Sequence, residues 1–309
     1  MEIEIVEYNP KWIKIYKKEA NTIQDVLGDN CLAIYHFGST SVPNLKAKAK
    51  VDILAVVKNL SLINNAGLEK IGFENRGEVI KMGRYFCKKT PRIHLHIFEE
   101  NNPNIEKNLK FRDWLRTHED DRNEYAKLKI DLAKIYDDGM EYCEAKTDFI
   151  NKILDKIDDV IKNNQEKFKL VRKLNLPINQ YAITGSGPLG VRKLKKINDI
   201  DMIVSDSLWN DLILKYPVIE QNNIKKICIP NQGIEIFCEA SFNSPLKGKD
   251  EPTVIQRIKS AEIIDGLPFE SIEYTLHYKY KMRREKDLKD IKIIEEWQAM
   301  QKLEEKNIS

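Results

Sequence analysis

Apolar residues recur at helical spacing from about residue 11 to 27, where Trp12, Ile13, Tyr16, Ala20, Ile23 and Val26 share one face, and this predicts an amphipathic helix. A short apolar segment, residues 32–37, then runs into Gly38-Ser39. Residues 51–57 are rich in β-branched side chains and predict a strand. Residues 92–98 alternate strictly, as a strand with one wet face does. From about 103 to 162 the pattern turns helical and charged and fits two or three helices. Asn163-Asn164-Gln165 is the most plausible linker, polar enough for one, although a helix can run straight through it.

The second half repeats this order. A helix is expected over about 165–175, and a strand over 181–184 leads into Gly185-Ser186-Gly187-Pro188. The basic stretch 191–196 reads as a helix, 200–204 and 233–238 read as strands, and helices over about 253–263 and 271–303 close the chain. Strand, Gly-Ser turn, helix, acidic strand, later strand and helices thus occur twice, which points to an internal duplication. Ser39 to Asp52 and Ser186 to Asp199 are both thirteen positions, and this spacing aligns Asp52 with Asp199.

Length and composition set the frame for this pattern. A chain of 309 residues is expected to form two domains, here 1–160 and 165–309, each long enough to bury a core. An apolar share of 42% and a charged share of 32% describe a globular protein rather than a disordered one. A net charge of +3 does not demand a nucleic-acid partner. The five cysteines are odd in number and lack a CxxC pair, as expected of free thiols in a reducing cytosol. The acidic N-terminus has no signal-peptide h-region, and no apolar run approaches the roughly 18 residues of a membrane helix, so a cytoplasmic protein with no membrane partner is expected.

The chemistry concentrates in the second half. Asp199 and Asp201 lie two apart on an expected strand, so both carboxylates point to one face. Close carboxylates repel unless a cation stands between them, and Mg²⁺ (or Mn²⁺) suits oxygen ligands while leaving positions for substrate phosphates. Glu235, flanked by Ile234 and Ile236, would supply a third carboxylate, and three can hold two metal ions. Gly185-Ser186 sits where a strand gives way to a helix, so glycine allows close backbone approach and helix-start N–H groups bind phosphate. Arg192, Lys193, Lys195 and Lys196 lie nearby to neutralise further charge. Taken singly, an Asp-x-Asp pair reads as surface carboxylates and a Gly-Ser as an ordinary turn; the order of all the pieces is what gives them weight.

In that order, residues 181–204 resemble the signature of the DNA polymerase β-like nucleotidyltransferase superfamily. The resemblance implies that Gly185 and Ser186 hold the triphosphate and that Asp199, Asp201 and Glu235 are catalytic and bind the metals. The run from Lys279 to Asp290 is similar to one found after the catalytic sheet in small nucleotidyltransferases. It implies nucleotide contacts for Lys281 and Arg284, with Arg284, Lys286 and Asp287 orienting the site or the helix. A solvated, salt-bridged helix face is the plainer alternative for this run.

Residues 1 to about 155 resemble the GrpB family through five blocks: His36-Phe-Gly-Ser-Thr-Ser-Val-Pro43, Val51-Asp-Ile-Leu54, His94-Leu-His96, Phe111-Arg-Asp-Trp-Leu-Arg116 and Glu144-Ala-Lys146. The resemblance implies a fold similar to nucleotidyltransferases but no defined activity. Asn44 and Ala49 or Lys50 depart from the family's usual glycine and proline, so the connecting loop is expected to differ. In this half Leu54 occupies the place expected of a second carboxylate, and His94 and His96 share a face of the strand expected to carry the third acid. Three readings stay open. Asp52, His94 and His96 could bind a softer metal. They could instead bind an anion or nucleotide with Ser39, Thr40, Ser41 and Arg92. Or they could be ordinary strand residues. His36 could orient the turn at Gly38-Ser39 or simply be a buried strand histidine. Phe111, Trp114 and Leu115 are at core spacing, while Arg112 and Arg116 share a helix face and pair with Asp113 or Asp120, or reach a phosphate.

These observations predict an α/β (α+β) protein of two tandem domains, each a small mixed sheet with helices packed on it. The expected function is metal-dependent transfer of a nucleoside monophosphate from a nucleoside triphosphate to a hydroxyl or phosphate acceptor, with the chemistry in the second domain. The expected acceptor is a small molecule rather than RNA or protein, held by residues 205–230 and 240–270. The alternative is a non-catalytic nucleotide-binding or regulatory protein with a degenerate duplicated site.

Overall fold

The computed structural model describes residues 3–79, 81–221, 224–242 and 251–305. The chain divides into two compact units, one formed by the residues up to Asp155 with those from Ala299 onward, the other by Lys156–Gln298. Both are mixed α/β units built on separate sheets. Among the described residues no helix is long and apolar enough to cross a membrane.

In the first unit the elements run α1 (Lys11–Leu27), β1 (Cys31–Phe37), β2 (Val51–Val57), α2 (Asn65–Lys70), β3 (Glu74–Asn75), β4 (Gly83–Lys88), β5 (Ile93–Glu99), α3 (Pro103–Thr117), α4 (Glu119–Ile135) and α5 (Gly139–Glu144), followed by α6 (Thr147–Lys173). The apolar stripe of α1 buries Tyr16, Ala20, Ile23 and Leu27 in a core shared with Ile53, Ala55, Ile93, Leu95 and Ile97. Because side chains alternate along a strand, Asp52, Leu54, His94 and His96 face the other way. On that face Phe37, Leu54, Val56 and Phe98 form a smaller cluster against which Ile105 of α3 packs. Among the described residues the strand order is β1-β2-β5-β4-β3, with β2 and β5 parallel and the other neighbours antiparallel.

The second unit continues with β6 (Tyr181–Thr184), α7 (Gly187–Val191), β7 (Ile200–Val204), α8 (Asp206–Leu212), β8 (Val218–Gln221), β9 (Ile224–Ile229), β10 (Ile234–Phe237), α9 (Val254–Lys259), β11 (Glu262–Ile264), β12 (Leu267–Phe269), α10 (Ile272–Met282) and the part of α11 (Glu285–Glu305) up to Gln298. Its strand order among the described residues is β11-β12-β6-β7-β10-β9-β8. From β6 to β8 the order and polarity reproduce those from β1 to β3: antiparallel, parallel, antiparallel, antiparallel. The duplication expected from the element order is therefore present in the topology. The extra strands β11 and β12 extend the sheet beside β6, where β12 runs parallel to it. One face packs Ile183, Met202, Val204 and Ile236 against Phe168 and Val171 of α6. The other packs Ala182 and Ile203 against Val254 and Ile258 of α9, and Thr184, Asp201 and Glu235 share that face by strand alternation.

Several sequence expectations change. Helix α6 runs straight through Asn163-Asn164-Gln165, so this stretch is no linker, and Asn164 is buried. The region 103–162 holds four helices, not two or three. The basic stretch 191–196 is not a helix: α7 stops at Val191, and Lys193 takes a left-handed φ of 61°. The closing helix is broken at Arg283, whose φ is 49°. Strands β3, β4, β8, β9, β11 and β12 lie outside the segments read as strands, and Asp199 stands just before β7 rather than in it.

Candidate active site and its altered counterpart

The second unit places the Gly185 turn directly over the acidic strand. Thr184, the last residue of β6, pairs with Asp201 of β7, and Asp201 pairs in turn with Glu235 of β10. Gly185 has a φ of +63°, and a Cβ there would meet Asp201 Oδ2 at 2.3 Å. Only glycine fits both the backbone conformation and the space. Ser186 follows at the head of α7, whose five residues give little macrodipole, so phosphate binding would rest on backbone N–H groups and the Ser186 hydroxyl.

Burial pushes the Asp201 carboxyl up to about 6, and the carboxylates of Asp199 and Glu235 add to the effect while Lys286 and Lys226 oppose it. The structure thus brings Asp199, Asp201 and Glu235 within electrostatic reach of one another. It does not gather them into a finished ligand set: among the described residues no group of three His, Cys, Asp or Glu side chains could hold a metal ion as it stands. One reason is visible. Lys226 Nζ donates to Glu235 Oε1 at 2.7 Å and draws that carboxylate to the β9 side.

The charged run after the sheet is divided in its roles. Asp287 accepts from Arg284 Nε at 2.6 Å and from Nη2 at 3.1 Å, and Arg284 in turn feels the charge of Asp201. Lys279 is buried and paired with Asp290, which also accepts from Lys195 at 2.7 Å. Lys281 is instead held by Glu251, and Arg192 by Glu262 at 2.6 Å, with the Arg192 guanidinium over Trp297. Neither Arg192 nor Lys281 is among the largest charges acting on Asp201.

Other residues important to the site escaped the sequence reading. Behind the turn, Thr184 donates to buried Glu270, and Arg257 bonds both of them. Asn164 clamps the connection between the turn and β7: its amide donates to Gly190 O at 3.1 Å and Lys195 O at 2.8 Å, and its carbonyl accepts from Ile197 N at 3.0 Å. An asparagine inside a polar helical stretch carries no local signal for this, and Lys226 on a strand reads as a solvated lysine.

In the first unit the same frame carries different groups. Phe37 pairs with Asp52, Asp52 with His94, and His94 with Cys87, just as Thr184 pairs with Asp201, Asp201 with Glu235, and Glu235 with Cys228. Gly38, with a φ of +68°, covers Asp52 as Gly185 covers Asp201: a Cβ would meet Asp52 Oδ2 at 2.5 Å. Asp52 therefore corresponds to Asp201, not to Asp199 as the equal spacing suggests. The loop after Gly185 is two residues longer than the one after Gly38, which displaces the count. Lys50 then stands where Asp199 does, and His94 where Glu235 does.

That exchange inverts the charge. Lys50 Nζ lies 3.1 Å from Asp52 Oδ1 and 3.1 Å from His94 Nδ1, so an ammonium occupies the space between the two. Tyr85, on β4, reaches His94 Nδ1 at 2.5 Å, in the place from which Lys226 reaches Glu235. Burial pushes both His94 and His96 down to about 4, which keeps them neutral. Although burial alone would raise it, Asp52 is held below the usual carboxylate range chiefly by the Lys50 ammonium beside it. His36 is buried, lowered to about 3 chiefly by burial, stacked on Tyr16 at 4.8 Å, and 3.2 Å from Thr40 Oγ1 in the turn that includes Ser39. Arg112 donates to His36 O and Arg116 to Ser41 O, both at 3.0 Å, so α3 fastens the two flanks of the turn.

Two tandem α/β units, each with a glycine turn over an acidic strand, define a protein with a duplicated site in which one copy has changed its charges. The GrpB protein family model matches residues 2–156, half of the chain. The chain belongs to the GrpB family. The UPF0157 protein BH1888 of Halalkalibacterium halodurans is 37% identical over 157 residues, 49% of this chain and 80% of its own length. The crystal structure of conserved protein GrpB from Enterococcus faecalis is 34% identical, covers 50% of this chain and 96% of its own, and has a TM-score of 0.46. A structure of the Cid1 poly(U) polymerase is 15% identical over 38% of this chain and 40% of its own, with a TM-score of 0.30.

Proposed function

We propose that the second unit is a metal-dependent nucleotidyltransferase, moving a nucleoside monophosphate from a nucleoside triphosphate to a hydroxyl or phosphate acceptor. The observation that carries this reading is the placing of Asp201 beneath the Gly185-Ser186 turn with Asp199 and Glu235 in electrostatic reach, where burial first and then these two carboxylates push Asp201 up to about 6. The donor set is all oxygen and suits Mg²⁺ or Mn²⁺. Asp199 and Asp201 would hold the ion, with Glu235 joining once released from Lys226. Bound there, the divalent ion supplies neutralisation of the triphosphate charge and a lower pKa for the attacking hydroxyl.

The chain's own groups do the rest. Gly185, lacking a Cβ, lets the phosphates approach the backbone, and the Ser186 hydroxyl donates to them. Arg284, fixed by Asp287, offsets the charge of the leaving pyrophosphate. One of the three carboxylates would also take the acceptor's proton. Arg192 and Lys281 would have to leave Glu262 and Glu251 to take part in nucleotide binding. The acceptor, a small molecule in preference to RNA or protein, would be chosen by residues 205–230 and 240–270, of which 222–223 and 243–250 lie outside the described residues.

The test is incubation of the full chain with each labelled triphosphate, Mg²⁺ or Mn²⁺ and a cell extract, followed by a search for transferred nucleotide. Transfer by wild type and its loss in Asp199→Ala and Asp201→Ala support the reading. Absence of transfer, together with wild-type binding of triphosphate and Mg²⁺ by Asp199→Ala, would leave the non-catalytic, regulatory reading.

A further inference from the structure

The first unit gathers lysines around two buried tyrosines beside its own glycine turn. Lys48 Nζ lies 3.8 Å from the centroid of the Tyr142 ring, and Lys146 Nζ lies 4.3 Å from the same centroid. Lys129 is buried, sits 4.9 Å from the Tyr125 ring centroid and donates to Lys46 O. These ammonium groups act on one another: Lys146 on Lys48 and on Lys129, and Lys50 on Lys48 and Lys146. Asp52 is the carboxylate that acts on Lys146, and it is already paired with Lys50, while the Cys143 sulfur accepts from Lys146 Nζ at 3.8 Å and also faces Lys48. Among the described residues, Lys48, Lys129 and Lys146 form no ion pair with a carboxylate.

Two further observations tie this cluster to a ligand. Tyr142 is only 2% exposed, yet its Oη has no hydrogen-bond partner among the described residues. The Tyr125 hydroxyl lies in reach of the Ser39 side chain, so the cluster adjoins the Gly38-Ser39 turn, the counterpart of Gly185-Ser186. Buried and half-buried ammonium groups without carboxylate partners are costly, and an aromatic face or a thiol offsets only part of that. Desolvation accordingly pushes Lys129 down to about 7 and Lys48 to about 8. A group with a single charge answers one ammonium. Three together, as point charges with rotatable donors, answer a dianionic or more highly charged phosphoryl group.

We propose that the first unit binds a phosphate monoester or polyphosphate between Lys48, Lys129 and Lys146, at the Gly38-Ser39 turn. The phosphoryl group fills the charge gap, the Tyr142 hydroxyl donates to one of its oxygens, and Lys50 stays with Asp52 and His94. This holds whether or not the second unit transfers nucleotides, since it involves no metal ion and no chemical step.

The experiment is calorimetric titration of the full chain in EDTA with orthophosphate, pyrophosphate, AMP and ATP, and with citrate as a carboxylate control. Saturable binding of pyrophosphate or a nucleotide is expected, weakened at least about tenfold in Lys48→Met and Lys146→Met and largely restored in Lys146→Arg. Preference for AMP and ATP over pyrophosphate identifies a nucleotide ligand, and the reverse a bare polyphosphate. Acylation of wild-type lysines, read by mass spectrometry, gives an answer that does not depend on variant folding: Lys48 and Lys146 should be protected by the bound anion. Absence of saturable binding, citrate binding as tight as pyrophosphate, unchanged affinity in folded lysine variants or no protection of Lys48 and Lys146 overturns the proposal.

Discussion

Replacing Asp201 by Asn should make the protein more stable, because the native carboxylate is held where its charge is unwelcome. Its carboxyl titrates at about 6 in the fold against an ordinary 3.8, chiefly through burial and then through Asp199 and Glu235. The folded state therefore binds a proton more tightly than the unfolded state, and stability falls as pH rises from about 4 to about 6. At 1.36 kcal/mol per pH unit the full deficit above that window is about 3 kcal/mol, and at pH 5 it is about half as large. Asparagine keeps the shape and removes the charge. In EDTA, Asp201→Asn should gain about 3 kcal/mol at pH 7.5, roughly 6–12 °C in the Tm of a domain of this size, and about half that at pH 5. Differential scanning calorimetry at both pH values measures it. Millimolar Mg²⁺ should narrow the difference by stabilising wild type alone. No gain at pH 7.5, or a gain no larger there than at pH 5, would falsify the electrostatic account of this site.

The histidines of the first unit should give the opposite slope. His36 at about 3 and His94 and His96 at about 4 are neutral in the fold, so their contribution is complete above about 6.5 and is lost as pH falls towards 4; hydrogen exchange of β1 and β5 amides between pH 7 and 4.5 should show this weakening. Gly185→Ala and Gly38→Ala should each cost about 2 kcal/mol or more, since both add a left-handed strain and a Cβ within 2.5 Å of an aspartate oxygen, and thermal scans with little loss would refute the close approach. Asn164→Ala should cost about 3 kcal/mol by leaving Ile197 N–H and two carbonyls unsatisfied, read as a lower urea midpoint, while Asn163→Ala, on a partly exposed neighbour, should cost less.

Helix α1 and the strands that meet the two turns were legible because their apolar periodicity is unbroken and their boundaries fall at glycines. Strand β9 was not, since the lysines of Ile224-Lys-Lys-Ile-Cys-Ile229 hide its alternation, and β11 and β12 are only three residues each. The acidic residues could be listed from the chain, but their correspondence between halves could not be counted. Spacing measures chain length, whereas the side chain that lies under the glycine is fixed by strand register. Two extra loop residues sufficed to hide Lys50 behind Asp52 and to make Leu54 look like a missing acid. The lysine cluster was equally hidden, because Lys48, Lys129 and Lys146 come from three distant segments.

The passage of α6 through Asn163-Asn164-Gln165 decides how this protein can be divided at the bench. A fragment begun at 165, as the polarity of the sequence invites, would discard Asn164 and release the loop that sets β7 beneath the turn. Such a fragment should express as a weakened domain even with all three carboxylates present, and its inactivity would say nothing about them. A protease faces the same geometry, because a helical backbone with its N–H and C=O groups engaged is a poor substrate. The more natural starting point for an isolated second half lies upstream, at or before Lys156, where that unit begins.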